Sequence, residues 1–230
     1  MKTIELASEG IKLKANLFYP EKLQEKNPAI LFVHGWTSNQ TRDIQNVKAL
    51  GELGYICFTF DMRGHGEDKT DLKSLSRTNF LNDALAAYDY LAKLPDVDPE
   101  NISVIGSSFG SYTSVILTGK RAVKNLVLRV PANYNDEDFE FPWTNKRFDE
   151  NGSIAHKALH NFKGNVLIIE SEKDEKVGQQ TIENYKKAVK DQSLLSHVVM
   201  RGALHSIKQD PVKVKEYTNI LVDWFGKITQ

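Results

Sequence analysis

Gly106-Ser107-Ser108-Phe109-Gly110 follows the apolar run Ile102 to Ile105 and precedes a helical pattern, so a serine hydroxyl is set on a turn between a strand and a helix. This is the G-x-S-x-G form in the strand-turn-helix context that nucleophilic catalysis requires. Glycines at both ends let the backbone turn sharply without side-chain collisions. The amide of Phe109, at the helix start, is positioned to donate to a developing oxyanion. A serine hydroxyl is a weak nucleophile until a base accepts its proton, which directs the search to a histidine on a loop after a later strand.

The chain has six histidines. His197 falls inside an expected strand, His156 and His160 in an expected cap or helix, and His34 and His65 in turns near glycines. His205, in Gly202-Ala203-Leu204-His205-Ser206, follows the strand ending at Met200 and precedes the last helix, which is the loop position a base needs. A carboxylate should hold the imidazole in the right tautomer. Asp174 comes just after the apolar strand Val166 to Ile169, with Glu172 a close competitor in the same charged stretch. Ser108, Asp174 and His205 thus occur in the order Ser, Asp, His.

These residues need elements to hold them. Ile11, Leu13, Ala15 and Leu17 alternate with polar residues, as in an antiparallel edge strand with one wet face. Ala29 to Val33, Tyr55 to Phe60, Ile102 to Ile105, Leu126 to Val130, Val166 to Ile169 and His197 to Met200 are instead apolar on consecutive residues, as in strands covered on both faces. Between them, Phe80, Leu81, Ala84, Leu85, Tyr88 and Leu91 form a helical stripe. Pro211 to Ile228 reads as a closing helix with Asp210 as its cap. The alternation predicts an α/β protein with a mainly parallel sheet flanked by helices, one domain over residues 1–230. Residues 131–161 break the rhythm and are expected to form a short cap insertion after the sixth strand.

His34-Gly35-Trp36 after the third expected strand, Asp61-Met62-Arg63-Gly64-His65-Gly66 after the fourth and the serine turn after the fifth together resemble the α/β-hydrolase superfamily over nearly the whole chain. Within it, the chain is similar to small serine esterases of the feruloyl/cinnamoyl-esterase and acyl-peptidase-like group. It departs from that group at Ser107, where a histidine is frequent, at Gly178 and at Leu204. The resemblance implies that the Trp36 amide supplies a second oxyanion donor beside Phe109, and that Asp61, Arg63 and His65 fix a turn. Phe139, Phe141 and Trp143 in the insertion, with Trp36, are candidates to line a substrate pocket at the carboxyl ends of the strands. Anchoring the insertion to the sheet is the competing role for these aromatics.

The chain of 230 residues, 40% hydrophobic and 26% charged, has the composition of a globular protein with a substantial core. Thirty Lys and Arg offset thirty Asp and Glu with the signs interspersed, so no surface for a nucleic-acid backbone or an anionic membrane is expected. The single cysteine, Cys57, closes no intrachain disulfide, no Cys/His spacing resembles a zinc site, and no cofactor or metal is called for. With no apolar run long enough for a signal or a span, a cytoplasmic protein is expected. The expected function is a serine hydrolase cleaving small-molecule carboxylic esters through an acyl-enzyme. Thioester, aminoacyl-peptide or carbon–carbon cleavage on the same three residues is the alternative, and a non-catalytic ligand-binding member of the fold is a third reading.

Overall fold

Strands that are apolar on every residue need cover on both faces, and the alternation of their side chains divides that cover into two cores. The computed structural model describes residues 1–137, 139–142 and 153–228. Among these residues eight strands are formed: β1 (Lys2–Ser8), β2 (Ile11–Phe18), β3 (Asn27–Val33), β4 (Ile56–Phe60), β5 (Val97–Ser107), β6 (Asn125–Arg129), β7 (Asn165–Lys173) and β8 (Leu195–Leu204). They lie in one sheet in the order β1-β2-β4-β3-β5-β6-β7-β8. β1 and β2 pair antiparallel, β2 meets β4 antiparallel, and every pairing from β4 to β8 is parallel. β1 extends the expected edge by one strand. Glu9 and Gly10, at φ 46° and 82°, make the two-residue turn whose twist suits a hairpin.

Among the described residues, six α-helices flank the sheet: α1 (Ile44–Glu52), α2 (Arg77–Ala92), α3 (Phe109–Thr118), α4 (Ile154–Asn161), α5 (Gln179–Ala188) and α6 (Pro211–Ile228). Ile30, Phe32, Ile105, Val127, Leu167 and Ile169 face α1 and α6, where they meet Val47, Leu50, Tyr217, Leu221 and Phe225. The residues between them, Leu31, Val33, Val104, Leu126, Leu128 and Ile168, face the other helices through Phe80, Leu81, Val115, Leu159 and Tyr185. Consecutive apolar residues in one strand therefore serve opposite cores. Ser76 and Asn79 close a capping box at the start of α2. Asp210 Oδ1 accepts from the Lys213 amide at 3.0 Å at the start of α6. Of the stretch expected as an insertion, residues 154–161 form α4, which packs between α3 and α5 with Ala155 and Leu159 buried.

One buried ion pair ties the amino-terminal hairpin to the rest. Arg63 Nη2 donates to Asp83 Oδ1 at 2.6 Å and to Ser8 Oγ at 3.1 Å, while Ser8 Oγ donates to Asp83 Oδ1 at 2.6 Å. Glu9, 44% exposed, approaches the same Arg63 nitrogen at 2.8 Å. Replacing Asp83 by Leu should cost about 3 kcal/mol, the lower end for breaking a buried pair, because Glu9 remains near the stranded cation. Arg63→Met combined with Asp83→Leu should cost less than Asp83→Leu alone in urea unfolding; an equal or greater loss would mean that shape, not the stranded charge, sets the cost.

Candidate active site

The serine turn is built from close approach. Ser108 sits at φ 53° and ψ −115°, a backbone conformation that residues with a side chain rarely adopt, between the end of β5 and the first residue of α3. Its amide donates to the Arg129 carbonyl at 2.9 Å, which fixes the turn to the end of β6. A side chain at Gly110 would collide with the Val33 and His34 carbonyls, so glycine is what lets α3 start against β3. The loop after β3 approaches in turn: a Cβ at Gly35 would lie 3.4 Å from Ser108 Cβ. Trp36 follows Gly35, and its ring makes an edge contact with the Phe109 ring at 5.7 Å. Phe109 is the first residue of α3, where an amide has no acceptor within its own helix.

His205, one residue beyond β8, reaches Ser108 Oγ through Nε2 at 3.0 Å. Its Nδ1 lies 2.8 Å from Asp174 Oδ2 and 3.0 Å from Oδ1. Asp174 Oδ1 also accepts from the amides of Lys176 and Val177, each at 2.8 Å. Burial acts to raise the Asp174 pKa, but the hydrogen bonds from His205 and these amides outweigh it and hold the carboxyl below its usual value. An ionised carboxylate only accepts, so the ring proton sits on Nδ1 and Nε2 is left to accept the Ser108 hydroxyl proton. Glu172 is turned elsewhere: it pairs with Arg201 at 2.7 Å and accepts from the Gly202 amide at 2.7 Å.

Two neutral histidines hold the Gly35–Thr37 loop. His34 Nε2 accepts from the Met62 amide at 3.0 Å, which places the ring proton on Nδ1, donating to the Gly35 carbonyl at 2.8 Å. Burial lowers the His34 pKa to about 3. His65 Nε2 accepts from the Thr37 amide at 3.2 Å, and its pKa is also lowered by burial. Asp61 accepts from the Gln40 amide at 2.7 Å and its side-chain amide at 3.0 Å, tying the next turn to the end of β4.

A cavity of about 390 Å³ opens beside Ser108 and His205, on the side of α1 and α6. Among the described residues, Trp36 is the one expected pocket residue that lines it. Phe139 packs against the opposite core with Arg77 Cζ 5.4 Å from its ring centre, and Phe141 is 65% exposed. Trp143 lies outside the described residues. Residues not anticipated from sequence line the cavity instead, among them Arg42, Arg129 and Tyr217. The signal available was an arginine ending the apolar strand Asn125–Arg129, followed by Val130 at φ 43°. Among the described residues, no cluster of His, Cys, Asp and Glu could hold a metal ion, and no helix is long and apolar enough to cross a membrane.

Comparison with known proteins adds kinship to this geometry. The model of the prolyl oligopeptidase family matches residues 39–230. An uncharacterized protein of Mycobacterium tuberculosis is 30% identical over 137 residues, 59% of this chain and 47% of its own length. A lysophosphatidylserine lipase of Danio rerio is 30% identical over 153 residues, 63% of this chain and 36% of its own length. The chain therefore spans less than half the length of these curated relatives. Among solved structures, Est1E from Butyrivibrio proteoclasticus, bound to ferulic acid, has a TM-score of 0.79 at 20% identity, covering 99% of this chain and 100% of that one. A dienelactone hydrolase from Anabaena variabilis has a TM-score of 0.76 at 19% identity, covering 98% and 96%. At such identities the shared property is the fold.

The neutral His34 makes stability depend on pH. Its proton is bound in the unfolded chain below a pKa of about 6.5 but not in the folded one until about pH 3, so its contribution is complete above about pH 6.5 and is lost as pH falls through this window. The loss is at most about 1.4 kcal/mol per pH unit for one proton. Urea unfolding of His34→Gln between pH 6.5 and 4 should show a shallower decline than the wild type; parallel declines would remove His34 from the linkage.

Proposed function

Because the chain belongs to the prolyl oligopeptidase family and has the α/β-hydrolase fold, we propose that it hydrolyses carboxylic esters of small molecules through an acyl-enzyme on Ser108. The observation that carries this reading is the continuous hydrogen-bond chain from Asp174 through His205 to Ser108. Ser108 Oγ attacks the ester carbonyl while His205 Nε2 takes the hydroxyl proton. The oxygen of the tetrahedral intermediate is held by the amides of Trp36 and Phe109, a contribution of about 10² to 10³ in rate per donor. His205 then gives the proton to the departing alkoxide, leaving Ser108 acylated. Water enters, His205 takes its proton, and collapse of the second intermediate frees the acid and restores Ser108. Asp174 stays ionised throughout and stabilises the imidazolium.

Amide cleavage is the second reading, favoured by the family match itself. The same proton path serves both bonds, and the difference lies in the leaving group: an amine must be protonated as it departs, and the bond starts from a more stable ground state. A small-molecule ester is preferred because a lysophosphatidylserine lipase stands among the relatives and a ferulic-acid-binding protein among the structural neighbours.

A fluorophosphonate probe should label the native protein and leave Ser108→Ala unlabelled; labelling of both would exclude Ser108 as nucleophile. Asp174→Ala should lower kcat by about 10⁴, as loss of the orienting carboxylate does elsewhere, with Glu172→Ala keeping near-native turnover; the reverse would transfer the orienting role. Short p-nitrophenyl esters should turn over faster than an alanyl or prolyl p-nitroanilide, and a faster anilide would move the assignment to peptidase.

A further inference from the structure

The cavity beside Ser108 is unusual in its charge. The whole chain is electrically balanced, yet the described residues that line this cavity include Arg42, Arg129 and Lys208 and no aspartate or glutamate. Arg129 is 2% exposed and, among the described residues, has no ion pair. Its Nη2 donates to the His205 carbonyl at 3.0 Å and lies 3.4 Å from Ser171 Oγ, while its Nε has no partner. The guanidinium lies 5.6 Å from the ring centre of Tyr217, whose buried hydroxyl is also without a partner. Burial pulls the Arg129 pKa down to about 10, which leaves it a cation at neutral pH.

Asp43 and Asp174, the carboxylates whose charge acts on Arg129, are committed to other groups. Asp43 Oδ1 accepts from the Asn46 side chain at 2.9 Å, and Asp174 serves His205 and two backbone amides. Arg42, half-buried on one wall, and Lys208, exposed at the rim, likewise make no ion pair among the described residues. Burying a cation without a counter-ion is costly, and that cost is relieved when an anion arrives. Oxyanions suit this lining because a guanidinium presents paired N–H donors to a carboxylate or phosphate. Ile44 and Val214 add apolar wall for a short carbon chain.

We propose that this cavity receives an anionic substituent of the substrate, a carboxylate or phosphate carried on the ester, held by Arg42, Arg129 and Lys208. The proposal rests on the hydrolase reading of Ser108 and names its substrate class.

Matched substrates test it. p-Nitrophenyl hemiglutarate against p-nitrophenyl pentanoate places a carboxylate on the acyl side. 4-Acetoxybenzoate and 4-acetoxyphenyl phosphate against phenyl acetate place a carboxylate or a phosphate on the alcohol side. In at least one pair the anionic ester should have a kcat/KM about tenfold higher or more at low salt, with the ratio shrinking as salt is added. Arg129→Gln should reduce that ratio about fivefold or more. Because Arg129 also anchors the His205 loop, Arg42→Gln/Lys208→Gln is measured alongside and should reduce it similarly. Ratios near one in every pair, or ratios that the double variant leaves unchanged, would overturn the anionic assignment while leaving the esterase reading intact. If no ester is cleaved and the probe labels nothing, the hydrolase reading fails by itself. The cavity is then judged by calorimetric titration of Ser108→Ala with glutarate, benzoate and phenyl phosphate: binding weakened by the double variant supports the anion site, and no binding overturns it.

Discussion

The passage from β5 into α3 is the constraint on which the rest depends. A residue with a side chain must be held at positive φ, and the helix that follows must start close enough to β3 to touch its carbonyls. Both conditions cost free energy, and both are enforced from outside the turn: by the Arg129 carbonyl accepting the Ser108 amide, and by two cores that clamp β5 between helical layers. Once the turn is fixed, the remaining parts have few places to stand. The Gly35–Thr37 loop comes within contact of Ser108, and the ends of β7 and β8 deliver Asp174 and His205 from the same edge of the sheet. Ligands of open α/β sheets enter at that edge.

Neutral polar groups hold the Gly35–Thr37 loop, whereas charged groups hold the periphery. His34 and His65 each accept one backbone amide and donate nearby, so the loop is positioned beside Ser108 by groups that carry no fixed charge. Arg63 and Asp83 do the opposite work farther away, joining the hairpin to α2 through a buried pair. Arg129 belongs to neither group. It is a buried cation close to Ser108 and His205 with no carboxylate partner among the described residues, and this is the basis for proposing a charged ligand in the cavity it lines.

Much of this arrangement was legible in the residues, for reasons that are local. Ser108 could be located because strand, turn and helix are contiguous around it, and His205 because a loop between the last strand and the last helix is short. Asp174 was preferred to Glu172 from its place after the strand, and what spacing could not show is the register shift between Ser171 and Lys173 and the amides of Lys176 and Val177 that hold the Asp174 side chain. Arg129 was not legible, since an arginine ending an apolar strand reads equally as a solvent-facing terminus until α6 is laid across it. Phe139 and Phe141 do not line the cavity beside Ser108, for a similar reason. Phe139 is apolar enough for either role, and its packing beside Arg77 is a tertiary outcome that no spacing specifies.

β8 has a consequence for how the site comes apart. It is the last strand in the sheet order, bonded to β7 alone, whereas β5 is paired on both sides. An opening that peels β8 and α6 away breaks the β7–β8 ladder and strips α6 from the core it shares with α1, while the pairing of β3 with β5 and the start of α3 stay in register. Partial unfolding from this edge would remove the imidazole first and leave the serine turn standing. Hydrogen exchange would see this as two classes of amide, with faster exchange beyond residue 195 than in β5. In such an opening Ser108 would stay with β5 while His205 left with β8.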